Sequence, residues 1–169
     1  GSLEVALSDS NGEVRAWSAR ALWKISPIAA APLVVPLLAD PEPNVVSLSL
    51  SLLTDGPVEP LIQALDNPKV EIRRGATQAA AARLKLSDEI VTALIPRLAD
   101  RDWQTRLAAT SALESVGARA ASAVPKLTLL LGDLRERIRY AAIMALHRIG
   151  PRASAAIPRL DALQRSGQS

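Results

Sequence analysis

The apolar positions of the chain follow the period of an amphipathic α-helix most clearly near the C-terminus. There, apolar residues at spacings of three and four form a stripe of Ile138, Ala141, Ala142, Ala145, Leu146 and Ile149. Such a stripe is wide enough to pack against two neighbouring helices. Residues 47–53 differ, because serine and leucine alternate there as they would in a strand. We still predict a helix for this segment, since its neighbours on both sides need a stacking partner.

An aspartate at the end of each apolar run divides the chain into repeats of about thirty residues. These turn aspartates are Asp9, Asp40, Asp66, Asp100 and Asp133, separated by 31, 26, 34 and 33 residues. In three repeats an arginine follows six positions later, at Arg15, Arg106 and Arg139. After another six positions each of these repeats continues with Ala-Leu. A period of this length is typical of repeat architectures.

The second half of each repeat carries an apolar-Pro-x-Leu motif. It occurs at residues 35–38, 95–98, 124–127 and 157–160, with a weaker copy at 59–62. Helix breakers such as Ser26-Pro27, Gly117 and Gly150-Pro151 separate the halves. We therefore predict helical hairpins at about 9–39, 40–65, 66–99, 100–132 and 133–163. A single hairpin cannot cover its own apolar face, so the units should stack.

Two of the repeats depart from the pattern. The second is short and has Val46 where arginine is expected. In the third, Arg74 is expected to be the equivalent of the recurrent arginine, provided that the loop after Asp66 is two residues longer than in the other repeats. We expect this irregular region to bend the stack.

The combination of Asp, a later Arg, Ala-Leu-x-x-Ile-Gly-Pro and x-Pro-x-Leu-x-x-Leu resembles HEAT repeats, especially the bacterial type named after phycobilisome lyase subunits. The resemblance covers nearly the whole chain and is most complete from Asp100 to Leu163. It implies an all-α, right-handed α-solenoid of about five HEAT-type helical hairpins, whose second helices line the concave face. It does not imply one function, because such proteins include scaffolds, transport receptors, nucleic-acid-binding proteins and a few enzymes.

Composition favours one continuous domain packed by aliphatic side chains. Hydrophobic residues make up 49% of the 169, phenylalanine and cysteine are absent, and the aromatic residues are Trp17, Trp23, Trp103 and Tyr140. The sequence contains neither a membrane-spanning apolar run nor a signal peptide, so we expect a soluble, cytoplasmic protein. Gly1-Ser2 is typical of the scar of a removed expression tag, residues 164–169 are expected to be a flexible tail, and we expect a fragment of a longer protein.

Charge is distributed unevenly along the chain. Residues 1–66 carry three basic and eight acidic side chains, whereas residues 67–169 carry seventeen basic and nine acidic ones. The two ends should therefore prefer different partners.

The residue after each repeat proline is the candidate partner-binding position, because we expect it to point away from the apolar stripe. That column reads Leu37, Leu61, Arg97, Lys126 and Arg159. The last three would form a basic row for an acidic segment or a phosphate backbone, or else an ordinary solvated helix face. Beside Arg101, Trp103 is either an anchor for a partner or a cap on the apolar end of the preceding repeat.

The recurrent charged residues are better explained by structure than by chemistry. A turn aspartate can accept hydrogen bonds from the next helix, and the arginine can bridge to an aspartate of the same or the next unit. We assign this structural role to Asp9, Arg15, Asp100, Arg106, Asp133 and Arg139.

Catalysis finds little support in the sequence. The single histidine, His147, is expected to be an exposed helix residue, and no histidine or cysteine cluster could hold a metal. There is no phosphate-binding Gly-rich loop and no nucleophile elbow. We predict no enzyme activity and no cofactor or metal.

We therefore predict a protein-interaction scaffold that holds another protein or a peptide on its concave helical face. The alternative is a nucleic-acid-binding protein that uses the basic C-terminal half, and salt dependence would separate the two. A designed repeat protein is a third possibility, against which the irregular second and third repeats argue.

Overall fold

The computed structural model describes residues 1–83 and 85–166, without the side chains of Gln164 and Ser166. Within these ranges the chain forms helices and turns and no strand. It divides into two compact units, Gly1–Lys85 (unit 1) and Leu86–Ser169 (unit 2).

The described residues of unit 1 form six α-helices. Helix α2 packs against both α3 and α4, while α4 and α5 pack against α6. A short 3₁₀ segment, Val35–Ala39, extends α3. The helices are α1 (Ser2–Ala6), α2 (Gly12–Ile25), α3 (Pro27–Val34), α4 (Pro43–Thr54), α5 (Val58–Leu65) and α6 (Val70–Ala82).

Unit 2 contains five α-helices among its described residues, and α10 packs against α8 and α9. Its 3₁₀ segments are Pro96–Ala99, Gly117–Ala123 and Gly150–Ala156. The helices are α7 (Asp88–Leu94), α8 (Trp103–Val116), α9 (Val124–Leu130), α10 (Glu136–Ile149) and α11 (Ile157–Ser166). The predicted tail thus begins inside α11, and its residues 167–169 lie outside the described range.

The helix predicted for the alternating Ser-Leu segment is confirmed as part of α4. Ser49 is fully buried, yet its hydroxyl donates a hydrogen bond of 2.8 Å to the Val45 carbonyl one turn earlier. A hydroxyl satisfied in this way can be buried without the cost of an unpaired polar group. The alternation therefore does not conflict with helical packing.

Small side chains allow α8 and α10 to pack closely. Ala109, Ala112 and Leu113 on α8 and Ala142 and Ala145 on α10 are each at most 1% exposed. Alanine at a helix contact permits a short interaxial distance, and each leucine buried completely contributes about 1.5–3 kcal/mol. The absence of phenylalanine therefore does not prevent a dense core.

Two glycines end the first helices of the unit 2 hairpins. Gly117 has φ 55° and Gly150 has φ 70°, and each is the residue after the last turn of α8 or α10. Positive φ values are unfavourable for residues with a Cβ atom, so glycine fits these helix ends. This agrees with the helix breakers expected between the two halves of each repeat.

The same hydrogen-bonded turn begins each repeat. In every case the side-chain Oδ1 of one residue accepts a hydrogen bond from the backbone N–H two positions later, a local bond typical of Asp and Asn. The five acceptors are Asp9 (2.8 Å), Asp40 (2.9 Å), Asn67 (3.0 Å), Asp100 (2.9 Å) and Asp133 (2.9 Å).

The third repeat begins at Asn67, so the expected register of Asp66 and Arg74 is wrong. The guanidinium of Arg73 donates from Nη1 to the carbonyls of Asn67 and Pro68, both at 2.9 Å. The equivalent arginines bond their own turn carbonyls in the same way, at Arg15, Arg106 and Arg139. Asparagine forms the turn as well as aspartate does, so the loop needs no two-residue insertion.

Arg15 and Arg106 each reach the turn aspartate that follows their own hairpin. Arg15 donates from Nε and Nη2 to Asp40 at 2.7 and 2.6 Å, and Arg106 donates to Asp133 at 2.8 and 3.2 Å. We call this bidentate pair the arginine–aspartate clasp. Both pairs are largely buried, with side-chain exposures of 10% and 4% in the first and 17% and 6% in the second.

The clasps change the ionisation of their carboxyl groups. The hydrogen bond from Arg15 holds the pKa of Asp40 below its usual range despite partial burial. Burial alone would raise the pKa of Asp133, but the hydrogen bonds from Arg106 and from the Arg135 amide outweigh it, so that pKa is also lowered. Both carboxylates therefore remain ionised and paired at neutral pH.

Candidate partner-binding surfaces

The residues after the repeat prolines do not form an outward-facing column. Leu37 is 7% exposed and Leu61 is completely buried, so both belong to the core of unit 1. The expectation that this position points away from the apolar stripe is wrong for these two residues. The physical reason is that the position lies on the packed side of the second helix.

The three basic residues of this column differ in their surroundings. The Arg97 side chain is only 15% exposed, and its Nη1 lies 3.5 Å from Oδ2 of Asp100, whose side chain is 3% exposed. Lys126 is half-buried, and Arg159 is exposed. Exposure thus increases from Arg97 to Arg159, and Arg97 contacts the turn that begins the next repeat.

The repeat prolines themselves face the solvent in unit 2. Pro96, Pro125 and Pro158 are all exposed. Two large apolar side chains on the same helices are exposed as well, Leu129 by 78% and Ile157 by 53%. The repeat pattern in the sequence does not indicate that these residues are exposed. We call the exposed residues of α9 and α11 together with the half-buried Lys126 the second-helix surface; its exposed members are Pro125, Leu129, Ile157, Pro158 and Arg159.

Arg159 extends from α11 to the end of α9. Its Nη2 lies 3.3 Å from the position that a Cβ atom on Gly132 would take, and the Leu129 carbonyl oxygen lies 3.6 Å from the same point. The guanidinium therefore lies near the backbone at the end of α9, the helix that carries the exposed Leu129.

Trp103 stands at the start of α8, where the Asp102 side chain caps the helix. Oδ2 of Asp102 accepts hydrogen bonds from the Thr105 amide at 3.0 Å and from its hydroxyl at 2.8 Å. The guanidinium carbon of Arg135 lies 5.1 Å from the Trp103 ring centroid, within the range of a cation–π contact. Arg101 is exposed on the same turn, and Trp103 is half-buried.

Metal and membrane features are not found in the part of the chain that the structure describes. No group of three or more His, Cys, Asp or Glu side chains there could hold a metal ion. His147 is exposed on α10. Within the same residues, no helix combines the length and apolarity that crossing a bilayer requires.

Comparison of the sequence with protein families identifies HEAT repeats at residues 91–168. No curated protein matches the chain significantly by sequence. The predicted resemblance to HEAT repeats is thereby confirmed, and the match includes the region where the motif is most complete.

Solved structures with helical repeats match nearly the whole chain. A designed armadillo repeat protein in complex with the peptide (KR)4 is 18% identical, with a TM-score of 0.63 over 96% of this chain and 90% of that one. A structure described under TOG-tubulin binding specificity is 15% identical, with a TM-score of 0.65 over 98% and 80%. The complex of CpcE and CpcF of phycocyanin lyase from Nostoc sp. PCC7120 is 20% identical, with a TM-score of 0.58 over 88% and 64%.

At these identities the structural matches establish the fold alone. Together with the helical hairpins of both units they confirm the predicted all-α repeat class. The chain has the all-α helical-repeat fold of these structures, and its residues 91–168 match the HEAT-repeat family.

Proposed function

We propose that this chain is a non-catalytic protein-interaction module, and that its second-helix surface in unit 2 binds an acidic, partly apolar segment of another protein. The observation that carries the proposal is that Arg159 extends from α11 to the end of α9, the helix that carries the exposed Leu129. An exposed apolar side chain next to a cation is typical of a protein interface, in which an apolar centre is bordered by polar residues.

The rigid repeat framework supports this role. Side chains on packed helices are held in place before binding, so little conformational freedom is lost when a partner docks. Among the structural neighbours, the designed armadillo protein is in complex with a peptide, and CpcE and CpcF form a complex with each other. Binding through exposed side chains of stacked helices is therefore compatible with this fold.

The proposal uses Lys126 and Arg159 from the predicted basic row and leaves Arg97 in a structural role beside Asp100. Trp103 and Arg101 form a second contact region at the start of α8. Arg135, stacked on Trp103, would present its remaining hydrogen-bond donors to the same acidic partner.

Fluorescence anisotropy with labelled probes tests the proposal. The probes are a synthetic peptide of alternating glutamate and leucine and a labelled single-stranded DNA, each titrated at about 50 and 200 mM salt. The informative variants are Leu129→Ser and Arg159→Glu. Their matched controls are Val5→Ser, which removes another exposed apolar side chain, and Arg137→Glu, which reverses an exposed charge on α10.

We expect the peptide to bind. Both second-helix variants should lower its affinity about five- to ten-fold, and both controls should leave the affinity unchanged. DNA binding whose affinity falls steeply with salt and is the same in Leu129→Ser would favour the nucleic-acid alternative. The proposal is wrong if neither probe binds, or if the controls lower the peptide affinity as much as the second-helix variants do.

A further inference from the structure

A groove of ≈ 610 Å³ lies between the first turns of α2 and α4 in unit 1. It belongs to the first helices of the hairpins, and the second-helix surface does not contribute to it. A cleft of this volume is large enough for several side chains of a bound segment. The lining residues that matter for binding are Asn11, Gly12, Glu13, Trp17, Glu42 and Asn44.

Gly12 makes room for the Glu42 side chain on the wall of the groove. A Cβ atom at this position would lie 2.7 Å from Cγ of Glu42, closer than two carbon atoms can approach. The Glu42 side chain therefore lies directly over Gly12, and a larger residue would displace it. The absence of a side chain at position 12 thus shapes the cleft and positions a carboxylate on its wall.

The groove carries negative charge that the described residues do not neutralise by ion pairing. Glu13 and Glu42 are both exposed, and neither has an ion-pair partner in residues 1–83 or 85–166. The nearby Arg15 guanidinium attracts Glu42 electrostatically, but it donates its hydrogen bonds to Asp40 and to two turn carbonyls. A glutamate at the start of a helix also interacts with the helix dipole, as Glu13 in the first turn of α2 and Glu42 at the N-cap of α4 do, but that interaction does not require both to border one cleft beside a tryptophan.

Trp17 supplies an aromatic surface to the same groove. It is 66% exposed, which is unusual for so large an apolar side chain. The guanidinium carbon of Arg20 lies 5.7 Å from the Trp17 ring centroid, so the ring already accepts a cation–π contact from within unit 1. An arginine of a partner could be attracted to this ring as well as to the carboxylates.

The equivalent positions in unit 2 have the opposite character. Glu42 follows its turn aspartate by two residues, and Arg135 has that place after Asp133. Gly12 corresponds in the repeat to Trp103, which fills the position that glycine leaves open and stacks with Arg135. Open space and negative charge are therefore specific to the unit 1 groove and are not general properties of the repeat.

We propose that this groove binds a basic, extended segment of another protein, with an arginine or lysine side chain held between Glu13 and Glu42 and beside Trp17. Asn44, exposed at the start of α4, is placed to hydrogen-bond the backbone of such a segment. The charge of the groove, its volume and its aromatic wall select a cationic partner. This proposal does not depend on the second-helix surface, which would take an acidic one.

Anisotropy titration of the full chain with a labelled octapeptide of alternating lysine and arginine tests the inference. The variant Glu13→Gln/Glu42→Gln removes both groove charges and keeps the side-chain shapes. Its matched control, Asp55→Asn/Glu71→Gln, removes two exposed carboxylates elsewhere in unit 1 and so changes the net charge equally. An acidic octapeptide of the same length controls for non-specific adhesion.

We expect the basic peptide to bind. The groove variant should lower its affinity about ten-fold, and the control variant should change the affinity less than about two-fold. The indole N–H resonance of Trp17, assigned by its loss in Trp17→Phe, should shift during the titration. Equal weakening by both double variants, or a shift confined to Trp23 and Trp103, would overturn the proposal. Self-association of the chain that disappears in Glu13→Gln/Glu42→Gln would also overturn it, because a second copy would then be the occupant.

Discussion

Replacing Arg106 and Asp133 together tests whether the arginine–aspartate clasp acts as one unit. The chain already contains a neutral version of this arrangement, because Val46 and Asn67 stand where the other repeats have arginine and aspartate. The informative variants are therefore Arg106→Val, Asp133→Asn and the double replacement. The double variant transfers the neutral pair into unit 2.

The expected magnitudes follow from the exposure of the pair. Ion pairs in solvent contribute about 0–1 kcal/mol, whereas breaking a buried pair costs about 3–5 kcal/mol. With side-chain exposures of 17% and 6%, this clasp lies between these limits. We expect Arg106→Val to cost about 2 kcal/mol and Asp133→Asn about 1.5 kcal/mol, since asparagine keeps the turn acceptor. The double variant should cost about 1.5 kcal/mol, which gives a coupling energy of about 2 kcal/mol.

Native-state hydrogen exchange measured by mass spectrometry on peptides from α8 and α10 gives the local free energy of opening for each variant. Arg101→Val is the control, because it removes an exposed arginine side chain from the same turn. If the double variant costs the sum of the single ones, the coupling is absent and the reasoning about paired burial is refuted. A single-variant cost near zero would show that solvent screens the pair completely.

Three further outcomes are expected. The pKa of Asp133 is lowered in the folded state, so its stabilising contribution is present above the unfolded value near 3.9 and is lost as pH falls through the folded value; urea titrations between pH 5 and 2 should show a shallower loss of stability in Asp133→Asn. Gly150→Ala should cost about 1–2 kcal/mol through its positive φ alone, since no atom of the described residues lies within 4 Å of the new Cβ atom, and calorimetry should show a lower melting temperature. Leu113→Ala should cost about 2–5 kcal/mol in chemical denaturation because the side chain is completely buried, whereas Leu129→Ala, at 78% exposure, should change stability by less than about 0.5 kcal/mol.

The sequence was sufficient for the helices and the repeat, because apolar periodicity and the Pro and Gly punctuation are local signals. It failed at the third turn, where two adjacent candidates, Asp66 and Asn67, preceded two adjacent arginines. Charge favoured Asp66, but the turn needs only a side-chain oxygen that accepts one hydrogen bond, and Asn67 supplies it. The recurrent arginine of this repeat is therefore Arg73, which lies six positions after Asn67 and donates a hydrogen bond to its carbonyl.

The surfaces were harder to predict than the fold. Leucine at positions 37 and 61 was a signal that the post-proline column faces the core, and the basic residues at its C-terminal end obscured it. The unit 1 groove depends on the proximity of Gly12 and Glu42, which are thirty residues apart. No local pattern reports that distance, because packing of α2 against α4 determines it.

The neutral pair at Val46 and Asn67 has a consequence for how such a chain can evolve by duplication. A hairpin copied into a position between two clasps brings an arginine for the following aspartate and an aspartate for the preceding arginine, so charge balance is kept. A copy inserted after Val46 would place its aspartate where no guanidinium is available, and the carboxylate would be buried alone. The junction after the second hairpin therefore accepts a new repeat only together with a compensating substitution. Between two clasps, a repeat that carries both charged residues can be inserted without one.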